Sequence, residues 1–181
     1  MPFAFRVPRP FIPGPPVGTR RQPGFFRLAA PPGSGCNTEQ LGNAIKNYYA
    51  HYSRYPLPID AAPDETTPVR VDAHFTSILL GADAALNPDQ VNFLPEIRTA
   101  QKKHQAGLKS TDAGPVIVDS WHNEFYLLLD ADDSGDIDNP DPAGTEKKLY
   151  QGVLVFSAGP DKDPSTWEAN ATSWQTRPRG R

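Results

Sequence analysis

Gly152-Val-Leu-Val-Phe-Ser-Ala-Gly-Pro-Asp-Lys-Asp-Pro-Ser-Thr-Trp-Glu-Ala-Asn-Ala-Thr-Ser-Trp174 decides how this chain is read. An apolar run rich in β-formers enters a loop dense in oxygen donors, and Trp174 closes that loop. Upstream lies a second such loop, Asp130-Ala-Asp-Asp-Ser-Gly-Asp-Ile-Asp-Asn-Pro-Asp141, itself preceded by Phe125-Tyr-Leu-Leu-Leu129. The two apolar segments, 125–129 and 152–156, are separated by a long acidic connection. That arrangement predicts an antiparallel β-hairpin. A further β segment is predicted at 116–118, where Val116-Ile-Val118 stands.

Towards the N-terminus the pattern becomes helical. Leu41, Ala44, Ile45, Tyr48, Tyr49 and Tyr52 follow the i, i+3, i+4, i+7, i+8, i+11 spacing of one helical face. Asn37 or Thr38 caps this helix, and Asn37 with Gln40 has capping-box spacing. Pro56 disfavours a helical Tyr55, so the helix is predicted to end near residues 54–55. Its tyrosine stripe reads as core packing. Segment 56–71 is a proline-rich loop. Asp72 then caps a short second helix with Phe75, Ile78 and Leu79 on one face and Gly81 near its end. Asn87-Pro88 marks a turn, 91–94 a short strand, and 96–109 a polar surface helix or loop. Lys102, Lys103, His104 and Lys109 read as a solvated face, with a partner patch as the alternative. A helix, a variable middle and a C-terminal sheet make the class α+β, with no internal repeat.

Length and composition bound what remains. The chain has 181 residues, 38% of them apolar, and 21 prolines, so a single domain with a modest core is expected. A net charge of −3 gives no strong field to recruit nucleic acid or a membrane surface. The charge is uneven, however. Residues 1–36 carry Arg6, Arg9, Arg20, Arg21 and Arg27 and no acid, which leaves about −8 for the rest. Residues 1–36 read as a disordered Pro/Arg-rich segment, 37–176 as the globular domain, and 177–181 as a basic tail. Cys36 is the sole cysteine, so no intramolecular disulfide forms. No run of about 18 apolar residues spans a bilayer, and no export signal with a continuous apolar stretch is present.

The acidic balance of the domain suits cations. Calcium takes six to eight hard oxygens, which a short Asp-rich loop can wrap around one ion. Asp130, Asp132, Ser134, Gly135, Asp136, Asp138 and Asp141 fall at positions 1, 3, 5, 6, 7, 9 and 12 of a calcium-loop template. Gly135 and Ile137 match its glycine and apolar positions. Asp141 is shorter than the glutamate the template calls for, Pro140 is atypical, and a strand rather than a helix leads in. The match is EF-hand-like in the loop alone. An affinity of about 10⁻⁴–10⁻³ M is expected if an ion binds. The alternative is a solvated acidic turn.

Four motifs, in order, carry a family resemblance. Ile45…Tyr48-Tyr49…Tyr52…Arg54-Tyr55-Pro56 is similar to the end of the long helix of the major pseudopilins of type II secretion systems. Asp119-Ser-Trp-His-Asn-Glu-Phe-Tyr126 resembles their Asp-Pro-Trp-Gly-Asn-Pro-Tyr element. Val153-Leu-Val-Phe-Ser-Ala-Gly-Pro-Asp161 is similar to their apolar strand followed by Ser-x-Gly-x-Asp. Ala169-Asn-Ala-Thr-Ser-Trp174 resembles their terminal Ala-Asp-Ile-Thr-Ser-Trp. The resemblance covers roughly residues 37–174. It implies a pilin-like fold, in which an N-terminal α-helix packs on a small antiparallel sheet with calcium-binding C-terminal loops. It also implies a Ca²⁺ held by Asp161 and Asn170, with backbone carbonyls near Ser157 and Ala158 completing the shell. Asn170 stands where the family has Asp, and Asp163 lies close enough in sequence to restore the lost charge.

Two departures stand out. The family's long apolar assembly helix is replaced here by Arg/Pro-rich sequence, and the family-like pattern begins abruptly at residues 36–38. The expectation is a mis-assigned start. His122 and Glu124 also replace the family's Gly and Pro, so the turn after Trp121 should differ. The resemblance implies a non-enzymatic subunit of a periplasmic or inner-membrane-associated pseudopilus. Its partners would be further copies and the secretion machinery. Trp121, Trp167 and Trp174 are expected to be packing residues. The rivals are a free-standing calcium-binding adhesion module and a hydrolase. For the hydrolase, the four scattered histidines form no metalloprotease motif, and Asp119 with His122 is the one conceivable acid–base pair.

Overall fold

The computed structural model of the chain describes residues 38–102 and 104–174. The expectations for 1–36, for the cap at Asn37, for Lys103 and for the tail at 177–181 fall outside the described residues. The described part is α+β, with two helices and antiparallel sheets. Among the described residues no helix is long and apolar enough to cross a membrane.

Helix α1, Thr38–Tyr52, buries Leu41, Ala44, Ile45 and Tyr48, the face its periodicity predicts. It stops two residues before the predicted end because Ser53 turns left-handed, at φ 53°. Strand β1, Val69–Arg70, precedes helix α2, Ala73–Leu79. Asp72 caps α2 as predicted, accepting from the Phe75 N–H at 2.9 Å. Phe75, Ile78 and Leu79 are all buried.

The main sheet is built around the predicted hairpin. Strand β4, Phe125–Leu129, pairs antiparallel with β7, Val153–Ser157, from Phe125 opposite Ser157 to Leu129 opposite Val153. With β1 and β8 (Ala171–Thr172) the sheet order is β1-β4-β7-β8. A second ladder joins β2, Gly107–Thr111, to β3, Gly114–Val118. A third, β5 (Ile137–Asp138) with β6 (Lys148–Leu149), lies within the long connection between β4 and β7.

Strands β4 and β7 are apolar almost throughout because both faces of the sheet are covered. Leu127, Leu129, Val153 and Val155 meet α1, α2 and Ile117 in the larger core. Gly42 of α1 faces β7, where an added Cβ would make ordinary van der Waals contact with Val155 at 3.5 Å. Leu128, Leu154 and Phe156 face the other way, towards Ile137, Leu149, Trp167 and Trp174.

One middle-segment expectation is corrected and one alternative is decided. Residues 91–94 form no strand. Their backbone is claimed instead by the buried Asn87 amide, which accepts from Val91 N–H and donates to the carbonyls of Val91 and Ile78, and Phe93 N–H goes to Leu79. Of the two readings for 96–109, the described residues follow the loop as far as Ala106 rather than the surface helix. Thr99 bridges Leu108 in parallel, and the segment runs on into β2.

Candidate metal centre

The acidic loop leaves β4 at Asp130, which is 5% exposed although it is a carboxylate. Its Oδ1 accepts from Ser134 N–H at 3.1 Å and its Oδ2 from Gly135 N–H at 2.8 Å, so the loop wraps back over it. Asp132 also accepts from Ser134, whose hydroxyl and then N–H hold its carboxyl below the ordinary range. Gly135 takes φ 83°, and Asp133 takes φ 57° with its Oδ1 accepting the Tyr49 hydroxyl at 2.7 Å.

The third acid at this place comes from elsewhere in the chain. Leu129 N–H donates to the Asp64 carbonyl at 3.0 Å, and Ala131 N–H to Glu65 Oε1 at 3.0 Å. The 64–67 turn is thus docked on the end of β4. It is set locally by the Asp64 carboxylate, which accepts from the N–H groups of Thr66 and Thr67. One oxygen each of Glu65, Asp130 and Asp132 lies within 4.8 Å of the others, an arrangement that could hold a hard cation. The phenol of Tyr55, which donates to the Gly152 carbonyl, is pushed well above its usual pKa by burial and then by the Asp130 charge.

Of the template ligands, Asp130 and Asp132 come together and the others serve different ends. Asp136 pairs with Lys148, whose pKa is raised chiefly by that hydrogen bond. The Ser134 hydroxyl donates to the Asp136 carbonyl at 3.0 Å. Asp138 lies on β5 opposite Lys148, and Asp141 accepts from Ala143 N–H. Glu65 was invisible to a reading of local spacing. The turn chemistry of Asp64-Glu-Thr-Thr67 is legible, but its docking on residues 129–131 is a long-range contact.

The closing loop begins with a 3₁₀ turn, Gly159–Asp161, and folds back so that Gly159 lies against Ala169. Asp161 is exposed, with Oδ1 accepting from Asp163 N–H at 3.3 Å and Oδ2 contacting the Thr166 hydroxyl. Asp163 is held below its usual pKa by the Ser165 hydroxyl and then its N–H. Asn170 is buried, and its Nδ2 donates to the Pro164 carbonyl at 2.9 Å. Ser157 and Ala158 are buried at the end of β7 where the loop departs. The candidate ligands in this loop, the Asp161, Asp163 and Asn170 side chains and the carbonyls of Ser157 and Ala158, all offer hard oxygens of the kind calcium takes. Trp167 and Trp174 pack on Phe156 at ring distances of 4.9 and 6.3 Å, as expected of packing residues. Trp121 does not; it is 40% exposed.

Asp119 is buried and shapes its own turn, accepting from the N–H groups of Trp121 and Asn123 at 2.8 Å each. His122 Nε2 lies 3.3 Å from the Lys102 carbonyl oxygen. The chain matches no known protein-family model, no curated protein and no solved structure.

Proposed function

We propose that this chain is a non-enzymatic structural subunit of pilin-like fold, similar to a major pseudopilin, whose C-terminal loop is locked by Ca²⁺. The observation that carries the reading is the closing loop, where Gly159 at φ 64° meets the Ala169 carbonyl and joins the loop's two ends. Asp161 lies two residues after one side of that junction and Asn170 one residue after the other. These two residues, with the carbonyls of Ser157 and Ala158, would hold the ion, and Asp163 would offset the charge that Asn170 lacks. The ion would supply charge neutralisation and a rigid cross-link between the loop's ends. An ion bound by the folded state alone stabilises that state.

Two further observations support the reading. Helix α1 packs on β7 of a small antiparallel sheet, the layering expected of a pilin-like domain. His122 has φ 65°, a conformation glycine adopts most readily, and it stands where the family carries Gly. Glu65, Asp130 and Asp132 offer a second, separate cation position. The subunit's partners would be further copies and secretion machinery at the periplasmic face of a membrane.

Asp161→Ala is the test. It should lower the thermal midpoint by more in calcium than in chelator, where only its hydrogen bonds from Asp163 and Thr166 are lost. Equal losses in both conditions would remove Asp161 from the ligand set.

A further inference from the structure

Strand β4 separates exposed cations near one end from exposed carboxylates near the other. At its Phe125 end the Asp119–Asn123 turn projects Trp121, and His122 Nε2 lies 3.3 Å from the Lys102 carbonyl. Leu108 N–H and Ala100 N–H knit 98–100 to β2, which brings Arg98 and Lys109 to the same neighbourhood. Arg98, Lys102 and Lys109 are exposed, and none has a carboxylate partner among the described residues. Glu96 and Asp112 are exposed acids of the same segments, and three other acids on this side have partners of their own. Glu124 pairs with Arg70 at 2.6 Å, Asp119 is buried in its turn, and Asp161 contacts Thr166.

At the Leu129 end, four residue steps and about 14 Å along the strand, residues 131–135 form an exposed tip. Asp132 and Asp133 accept hydrogen bonds from Ser134 N–H and the Tyr49 hydroxyl and pair with no cation among the described residues. The tip backbone is bare at Gly135, where an added Cβ would meet nothing within 4 Å.

We propose that the Asp132–Asp133 tip of one copy docks on the Trp121/Lys102/Lys109 surface of the next. Unpaired carboxylates meet unpaired cations, and the flat peptide at Gly135 offers the exposed indole a stacking partner. The two surfaces are distinct, so a copy that docks by its tip alone still offers its patch; such a heterologous contact adds copies head to tail, in a ring if the rotation closes and in an open chain if it does not. The contact presupposes the structural-subunit role proposed above, and it supplies that role's partner surface.

Sedimentation of the full chain in chelator, at low and high ionic strength, tests it. The wild type should associate at low salt, with a weight-average mass of about two chains or more, and dissociate at high salt. A patch variant (Lys102→Glu with Lys109→Glu) and a tip variant (Asp132→Lys with Asp133→Lys) should each be monomeric at low salt. Mixed together they should associate again, since the patch variant keeps an intact tip, the tip variant keeps an intact patch, and the two reversed surfaces also complement each other. Association that survives in either variant alone would overturn the contact while leaving an assembling subunit in place. A wild type that is monomeric at every salt concentration would also overturn it, whereas the calcium melts judge the loop reading independently. Far-UV spectra matching the wild type would exclude misfolding as the cause of monomer.

Discussion

Gly159 shows how much rests on one atom. Its φ of 64° is left-handed, and a Cβ there would stand 2.1 Å from the Ala169 carbonyl oxygen. Gly159→Ala should therefore destabilise the domain by on the order of 1–3 kcal/mol from the backbone alone, read by denaturant unfolding; an unchanged midpoint would mean the loop ends are not joined there. The carboxylates give a pH signature. Asp64, Asp83, Asp132 and Asp163 all lie below their usual pKa, through the N–H of Thr67, the N–H of Leu86 and the hydroxyls of Ser134 and Ser165 respectively. A depressed carboxylate contributes stability that is full above its unfolded pKa of about 3.9 and is lost as pH falls through the lower folded value. Tyr55 has the opposite sign of shift, so its contribution is full below about pH 10 and is lost above it. Thermal midpoints should fall below about pH 4 and above about pH 10. A midpoint that rises on acidification below pH 4 would contradict these assignments.

At the scale of elements, what was legible was what local chemistry dictates. The α1 face, the Asp72 cap and the β4–β7 hairpin follow from spacing, a capping side chain and apolar runs bounded by polar loops. Strands β1, β5, β6 and β8 were not legible. Each has two residues and exists because a longer strand or a loop holds it in register. The misread strand at 91–94 has a local origin instead, since the Asn87 side chain, four residues before Val91, takes over the backbone bonds there. Asn87 also accepts the Tyr52 hydroxyl at 2.7 Å, tying this segment to α1. Asn87→Ala should cost on the order of 3 kcal/mol because it orphans buried carbonyls. A loss below about 1 kcal/mol in chemical denaturation, the net worth of one ordinary hydrogen bond, would mean that other groups replace it. The candidate cation cluster divides the same way: Asp130 and Asp132 were evident from their loop, while Glu65 arrives from 65 residues away.

For the whole molecule, the hairpin sets the arrangement. It presents one oxygen-rich loop at each end, and both faces of its sheet are covered, by helices on one side and by the loop tryptophans on the other. Such a domain has a modest core, so ordering its polar loops is where a bound cation would contribute most. The measurement that tests this directly is a calorimetric titration of the full chain with Ca²⁺, paired with thermal melts in calcium and in chelator. The account predicts binding with a raised midpoint. Loss of one bound ion in a variant carrying Asp130→Asn and Asp132→Asn would report the second position. No heat of binding and identical melts in both buffers would contradict a calcium-locked subunit.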